Sequence, residues 1–118
     1  INYKQKASED EIVDILNNSS IFMCTSIHEG FGLPGLEAMA CGCVLVTTNC
    51  FGPLEYANER NAIICKTKEP NQLFEGVKRV FENDNLKNSL LQQAKIDVEK
   101  WDIKKSMHQF EKEIFNKN

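Results

Sequence analysis

An open α/β sheet of parallel strands with flanking helices, Rossmann-like in class, is the fold this sequence predicts. Three observations carry that reading. The runs Ile21–Cys24, Cys43–Thr48 and Ala62–Cys65 are apolar without alternation, as strands buried on both faces between helix layers must be. Helical stretches, with apolar residues three and four apart, separate or follow those runs. Ser, Gly and Pro stand where the helices should begin and end. The crossovers are then expected to be right-handed βαβ units.

Taken in order, Tyr3 and its neighbours read as the end of a short strand. Ser8-Glu9-Asp10-Glu11 is a capping box, with Ser at the cap and Glu three residues later. It should open a helix carrying Ile12, Val13, Ile15 and Leu16, and Asn17-Asn18-Ser19 should stop it. The first strand, Ile21–Cys24, follows. Pro34 suits the first turn of the next helix and Gly42 its end. That helix spans about two to three turns, with Leu36, Met39 and Ala40 as its apolar face. The β-branched run to Thr48 and the Ala62–Cys65 run supply two more strands. Beyond Cys65 three amphipathic stripes recur: Leu73, Val77, Val80 and Phe81; Leu86, Leu90, Leu91 and Ala94; then Ile103, Met107, Phe110 and Ile114, with Trp101 just ahead. Three or four strands are few for a doubly wound sheet. A strand-helix portion is therefore expected to be missing at the amino end, leaving a sheet edge and helix faces open.

Composition narrows the function. The chain has 118 residues, enough for one domain with its own core. Fourteen Lys+Arg against seventeen Asp+Glu give a net charge of -3, so no basic stripe exists to displace counterions from a nucleic acid or to hold an anionic membrane. No apolar run is long enough to cross a bilayer, and the opening Ile-Asn-Tyr-Lys has neither initiator Met nor signal-peptide pattern. The five cysteines, 24, 41, 43, 50 and 65, are odd in number and mostly within apolar runs. They read as small buried thiols in a reduced, cytosolic protein. Cys41-Gly42-Cys43 has the wrong spacing for a zinc knuckle.

The chemistry concentrates between residues 26 and 42. Gly30 and Gly32 follow a strand and precede a helix. Ligands of open α/β sheets bind beyond the carboxyl ends of strands, and glycine lets backbone approach them closely. The helix start offers N–H groups and a partial positive charge to an anion, although Pro34 removes one donor. Glu37 lies in the first helical turn or just past it, where a carboxylate could accept from two neighbouring ribose hydroxyls. Glu29 stands eight positions earlier in the loop. Two carboxylates beside an anion site make sense for a phosphate flanked by hydroxyl-rich groups, which is the layout of a nucleotide-linked sugar.

This stretch, Glu29-Gly30-Phe31-Gly32-Leu33-Pro34-Gly35-Leu36-Glu37-Ala38-Met39-Ala40-Cys41-Gly42, resembles the E-x7-E region of the large retaining glycosyltransferase family with two Rossmann-like domains, the GT-B architecture of family 4. The resemblance covers nearly the whole chain. Asp10 to Ser19 resembles the helix before the nucleotide-sugar site, Ser20–Ser26 the next strand, and Val44–Thr48 the strand after the motif helix. Phe51-Gly52-Pro53-Leu54-Glu55-Tyr56 is similar to the family's Gly-x-Pro-Glu turn, slightly altered. Asn61–Cys65 resembles a short late strand, and Leu73 onward the closing helices.

The resemblance implies that residues 1–118 are a partial carboxyl-terminal nucleotide-sugar-binding domain, the incomplete second half of a GT-B architecture, with the amino-terminal acceptor domain absent. It implies that Glu29 contacts donor-sugar hydroxyls near the reacting carbon, as the catalytic carboxylate, and that Glu37 holds the ribose hydroxyls. Backbone at Gly30, Phe31, Gly32 and Leu33 would face the sugar and diphosphate. The reaction would be transfer from a nucleotide diphosphate sugar to a glycan or lipid-linked acceptor with retention, in cell-surface polysaccharide synthesis. It would need no cofactor and no bound metal, at the cytoplasmic side and, for the full-length enzyme, peripheral to the inner face of the membrane. The sequence departs from the family in one respect. An Arg and a Lys normally clamp the diphosphate, but this chain has only Arg60 and Arg79, and no Lys between Lys6 and Lys66. The isolated chain is therefore expected to be inactive.

Other residues carry less. His28 and His108 read as surface histidines. Glu55 reads as the cap of a short helix, with ligand contact as the alternative. The Ile103 to Ile114 stripe reads as packing; part of it left bare would favour dimerisation. A non-catalytic nucleotide-binding or assembly module with a transferase-like fold is the alternative function. A nicotinamide-dependent oxidoreductase is disfavoured, because the G-x-G here lacks the third glycine of that fingerprint.

Overall fold

The computed structural model describes residues 8–25, 32–50 and 52–101. The expectations that fall on Tyr3, His28, Glu29, Gly30, Phe31, Phe51, His108 and the Ile103 to Ile114 stripe lie outside those residues. Within them the elements run α1 (Glu9–Asn17), β1 (Ile21–Cys24), α2 (Leu33–Ala40), β2 (Val44–Thr48), a 3-10 turn (Gly52–Glu55), β3 (Ala62–Cys65), α3 (Pro70–Glu82) and α4 (Asp84–Val98). The strands form one parallel sheet in the order β1-β2-β3. All three apolar runs are therefore strands, as expected. The β2–β3 connection differs from a full βαβ crossover: among its described residues the one helical element is the 3-10 turn, on which Glu55 is the last residue rather than the first.

Three helix ends have an identifiable cause. The Ser8 side chain accepts a hydrogen bond from the Glu11 N–H at 3.2 Å, satisfying one of the donors a helix start leaves open. The Ser8 hydroxyl in turn donates to the Glu11 carboxylate, also at 3.2 Å. Asn83 caps α4 in the same manner, accepting from Leu86 N–H at 3.0 Å. Gly42, at φ +87°, turns the chain out of α2 in a conformation that an L side chain resists.

Strand pleating divides the core in two. Phe22, Leu45, Ala62 and Ile64 face one side, where Leu36 and Met39 of α2, Tyr56, Ala57 and Ala94 of α4 pack on them. Ile21, Val44, Val46, Ile63 and Cys65 face the other, under Leu73 and Val80 of α3 and Leu90 of α4. Such two-sided cover explains why the β2 and β3 runs show no polar alternation. Two helix faces differ from expectation. On α2 the buried residue is Ala38, packed with Leu16 and Cys43, whereas Ala40 is exposed. On α3 Gly76, not Phe81, completes the buried stripe. A Cβ at Gly76 would stand 2.8 Å from Cγ2 of Ile63, so the missing side chain is what lets α3 settle on β3. No helix among the described residues is long and apolar enough to cross a membrane.

Candidate functional site

The carboxyl ends of β1 and β2 open into a cavity of about 280 Å³. Cys24 and Thr25 line it from the end of β1, Thr47 from β2, and Gly32, Pro34 and Gly35 from the entry to α2. Pro53 closes it from the 3-10 turn and Tyr56 from just after that turn. This is where open α/β sheets take their ligands. A hollow of about 310 Å³ also lies between β3 and α3, lined by Asn71 and Gln72 of the first turn of α3 and by Glu75 and Arg79, but no glycine turn is among its lining residues.

Gly32 is the cap residue of α2, at φ +78° and ψ +45°, and no side chain caps that helix start. Its carbonyl accepts from Gly35 N–H at 3.0 Å and from Leu36 N–H at 3.4 Å, and also from the Tyr56 hydroxyl. The helix start therefore has less free donor capacity than its position suggests. Pro34 has no N–H, and that of Gly35 is engaged.

The two glycines at this turn also serve the protein itself. A Cβ on Gly32 would lie 2.8 Å from Cγ of Pro53 and 2.9 Å from the Tyr56 oxygen. A Cβ on Gly35 would lie 2.6 Å from that same oxygen. Sequence reasoning assigned Gly32 to ligand approach and gave Gly35 no role, because the residue that crowds both lies more than twenty positions away. Leu33 begins α2. Glu37 sits in the second turn of α2, half-exposed, and is not among the residues lining the cavity. Glu29, Gly30 and Phe31 fall outside the described residues, so the geometry relating the two carboxylates does too.

Behind Tyr56 lies a polar anchor that the sequence did not announce. Asn61 is buried; its side-chain amide donates to the Tyr56 carbonyl and to the Asp97 carboxylate, each at 2.9 Å, and its oxygen accepts from Asn58 N–H at 2.8 Å. Gln93 and Lys100 also donate to Asp97, at 3.0 and 3.4 Å. Burial pushes the Asp97 carboxyl up, but these hydrogen bonds and the Lys100 charge together outweigh it and hold the group below the usual carboxylate value. The anchor ties the loop carrying Tyr56 to the end of α4.

Three of the thiols are held in the protonated form. Burial pushes Cys43 up, with Cys41 adding to it, and pushes Cys65 up against the opposing pull of Arg79. Burial and then the Glu37 carboxylate raise Cys41. These three stay protonated at neutral pH, which suits packing rather than nucleophilic attack. Cys43, just before β2, donates weakly to the Leu16 carbonyl of α1 at 3.1 Å.

Known proteins are similar to this chain in sequence and in fold. The chain is 33% identical over 96 residues to the N,N'-diacetylbacillosaminyl-diphospho-undecaprenol alpha-1,3-N-acetylgalactosaminyltransferase of Campylobacter jejuni, covering 80% of this chain and 26% of that protein. It thus spans about a quarter of that relative's length. It superposes on the carboxyl-terminal domain of the glycosyl transferase group 1 family protein LpcC from Francisella tularensis with a TM-score of 0.73 at 27% identity, over 85% of this chain and 51% of that one. The crystal structure of TarM shares the fold, with a TM-score of 0.71 at 20% identity over 93% of this chain and 22% of that one. A family model described as glycosyl transferases group 1 matches residues 1–97, the span that holds β1, β2, β3 and the residues lining the cavity at the ends of β1 and β2. On that match the chain is a member of the group 1 glycosyltransferases, which are of GT-B type.

Proposed function

We propose that this chain is the donor-binding portion of a retaining glycosyltransferase, which moves a sugar from a nucleotide diphosphate sugar to a glycan or lipid-linked acceptor in cell-surface polysaccharide synthesis. The observation that carries the reading is the cavity at the carboxyl ends of β1 and β2, entered by the Gly32–Gly35 turn, in a chain of this family. The name of the Campylobacter relative, a transferase acting on an undecaprenyl-diphosphate-linked sugar, supports a lipid-linked acceptor.

In this reading Glu29 meets donor-sugar hydroxyls near the reacting carbon, and its carboxylate stabilises positive charge that develops there as the bond to the diphosphate breaks. Glu37 accepts from the ribose hydroxyls. Backbone at Gly30, Phe31, Gly32 and Leu33 lies along the sugar and diphosphate. A diphosphate clamp and an acceptor site are supplied from outside this chain, so residues 1–118 alone transfer nothing and bind nucleotide sugars more weakly than micromolar. Calorimetric titration of the chain with a nucleotide sugar checks that statement, and micromolar affinity would contradict it.

The reading is tested in the complete enzyme. Glu29→Ala should lower kcat for transfer by about a hundredfold or more, as loss of a transition-state contact does. Glu37→Ala should raise the donor KM by about ten- to a hundredfold, the value of a charged hydrogen bond or two. Wild-type turnover and donor KM in both variants, with the fold intact, would overturn it.

A further inference from the structure

We propose that the Tyr56 hydroxyl is a positioning group for donor binding: by holding the Gly32 carbonyl and filling the space over Gly35, it fixes the backbone turn that shapes the cavity. The proposal rests on the donor-site reading and adds to it a residue outside the E-x7-E stretch. Three observations lead to it. The hydroxyl donates to the Gly32 carbonyl, which already accepts from Gly35 N–H and Leu36 N–H. That oxygen therefore gathers three donors at the one point where α2 begins. The hydroxyl also occupies the space where a side chain on Gly32 or Gly35 would stand, at 2.9 and 2.6 Å from the respective Cβ positions. And the ring, Gly32, Gly35 and Pro53 are all walls of the same cavity.

A tyrosine serves here only if its own backbone is held. Asn61 does this, donating to the Tyr56 carbonyl at 2.9 Å and to Asp97 of α4 at the same distance. The result is a continuous tie from the end of α4, through Asn61 and Tyr56, to the glycine turn. Gly32 sits at a positive φ that its own chemistry permits but does not select. An external hydrogen bond is what selects it. Without the hydroxyl the turn samples other conformations, and a bound ligand must bear the cost of ordering it.

The experiment is a double-mutant cycle in the complete enzyme with Tyr56→Phe, Gly35→Ala and the pair. Binding of uridine and guanosine diphosphates is measured by calorimetry, donor KM and kcat by transfer, and amide hydrogen exchange at Gly35 and Leu36 without nucleotide. Tyr56→Phe should weaken nucleotide binding about tenfold, the worth of one hydrogen bond, raise the donor KM alike, and leave kcat and acceptor KM unchanged. Exchange at Gly35 and Leu36 should accelerate. Gly35→Ala should weaken binding at least as much by displacing the hydroxyl. The pair should be no worse than Gly35→Ala alone, because the oxygen that an alanine Cβ meets is gone. Unchanged exchange in Tyr56→Phe, unchanged affinity beside a wild type that binds, or costs that simply add would each overturn the proposal. A wild type that binds neither nucleotide, with exchange at Gly35 and Leu36 still accelerated in Tyr56→Phe, would overturn the donor-site reading and the proposed role in donor binding with it, leaving the tie itself intact.

Discussion

β1 and β2 begin as similar sequences and end in different surroundings. Both are unbroken apolar runs, yet every residue of β2 is buried and none of β1 is. Met23 of β1 is 50% exposed, while Leu45 and Val46 of β2 are fully covered. The difference lies in neighbours. β2 has a hydrogen-bonded strand on each side and helices over both faces. Among the described residues β1 pairs only with β2, and the helix beside it, α1, buries Leu16 but leaves Ile12, Val13 and Ile15 exposed. Apolar character makes a segment able to be buried; the elements packed around it decide whether it is.

Four substitutions sharpen or break that contrast. The largest effect is expected at the centre. Leu45→Ala should destabilise the fold by about 2–5 kcal/mol, because it empties a site walled by Leu36, Met39 and Tyr56. Met23→Ala should cost less than about 1 kcal/mol, since half of that side chain is already in water. Urea unfolding of the two variants checks the pair, and equal costs would mean that β1 is as well covered as β2. Next, Gly76→Ala should cost about 1–3 kcal/mol by overpacking against Ile63. Gly42→Ala, which meets no neighbouring atom within 4 Å, should cost about 1–2 kcal/mol through its positive φ alone. Only the first should be partly rescued by Ile63→Val.

A smaller effect is expected at Asp97. Its carboxyl titrates below the usual carboxylate value in the folded chain, so the fold favours the charged form. That stabilisation is complete above the unfolded-state value, and it disappears as pH falls through the lower, folded-state value. The stability gap between wild type and Asp97→Asn should therefore hold at neutral pH and close in acid, as thermal melts across that range would show. The smallest effect belongs to the open side. Ile15→Gln should change stability by no more than about 0.5 kcal/mol, because the side chain is exposed. A large loss would show that α1 is covered in solution.

Strand positions were legible because they depend on local chemistry. The three apolar runs coincide with β1, β2 and β3 to within one residue, and the Ser8 cap and the Gly42 turn stand where the sequence put them. Helix faces were less legible. Ala38 and Ala40 are the same residue two positions apart, and only the Leu16–Cys43 contact selects Ala38 for burial. Gly76 carried no apolar signal, since what α3 needs there is an absent side chain. At the site, the start of α2 around Pro34 could be read from the sequence, whereas the crowding at Gly35 could not. Nor could Tyr56 and Asn61. Their partners lie 24 positions away at Gly32 and 36 away at Asp97, and no spacing rule reaches across such separations.

Among the described residues, the sequence by itself thus determined which segments become the three strands, which stretches become helical and where α1 and α2 begin. Those outcomes depend on hydrogen bonding and side-chain periodicity over a few residues. Only the tertiary structure decided which faces are covered, why Gly32 and Gly35 have no side chain, and what holds the cavity's edge in place. These depend on atoms brought within contact distance by the packing of the whole sheet, and a hydroxyl can fix a distant turn only after the chain between them has folded.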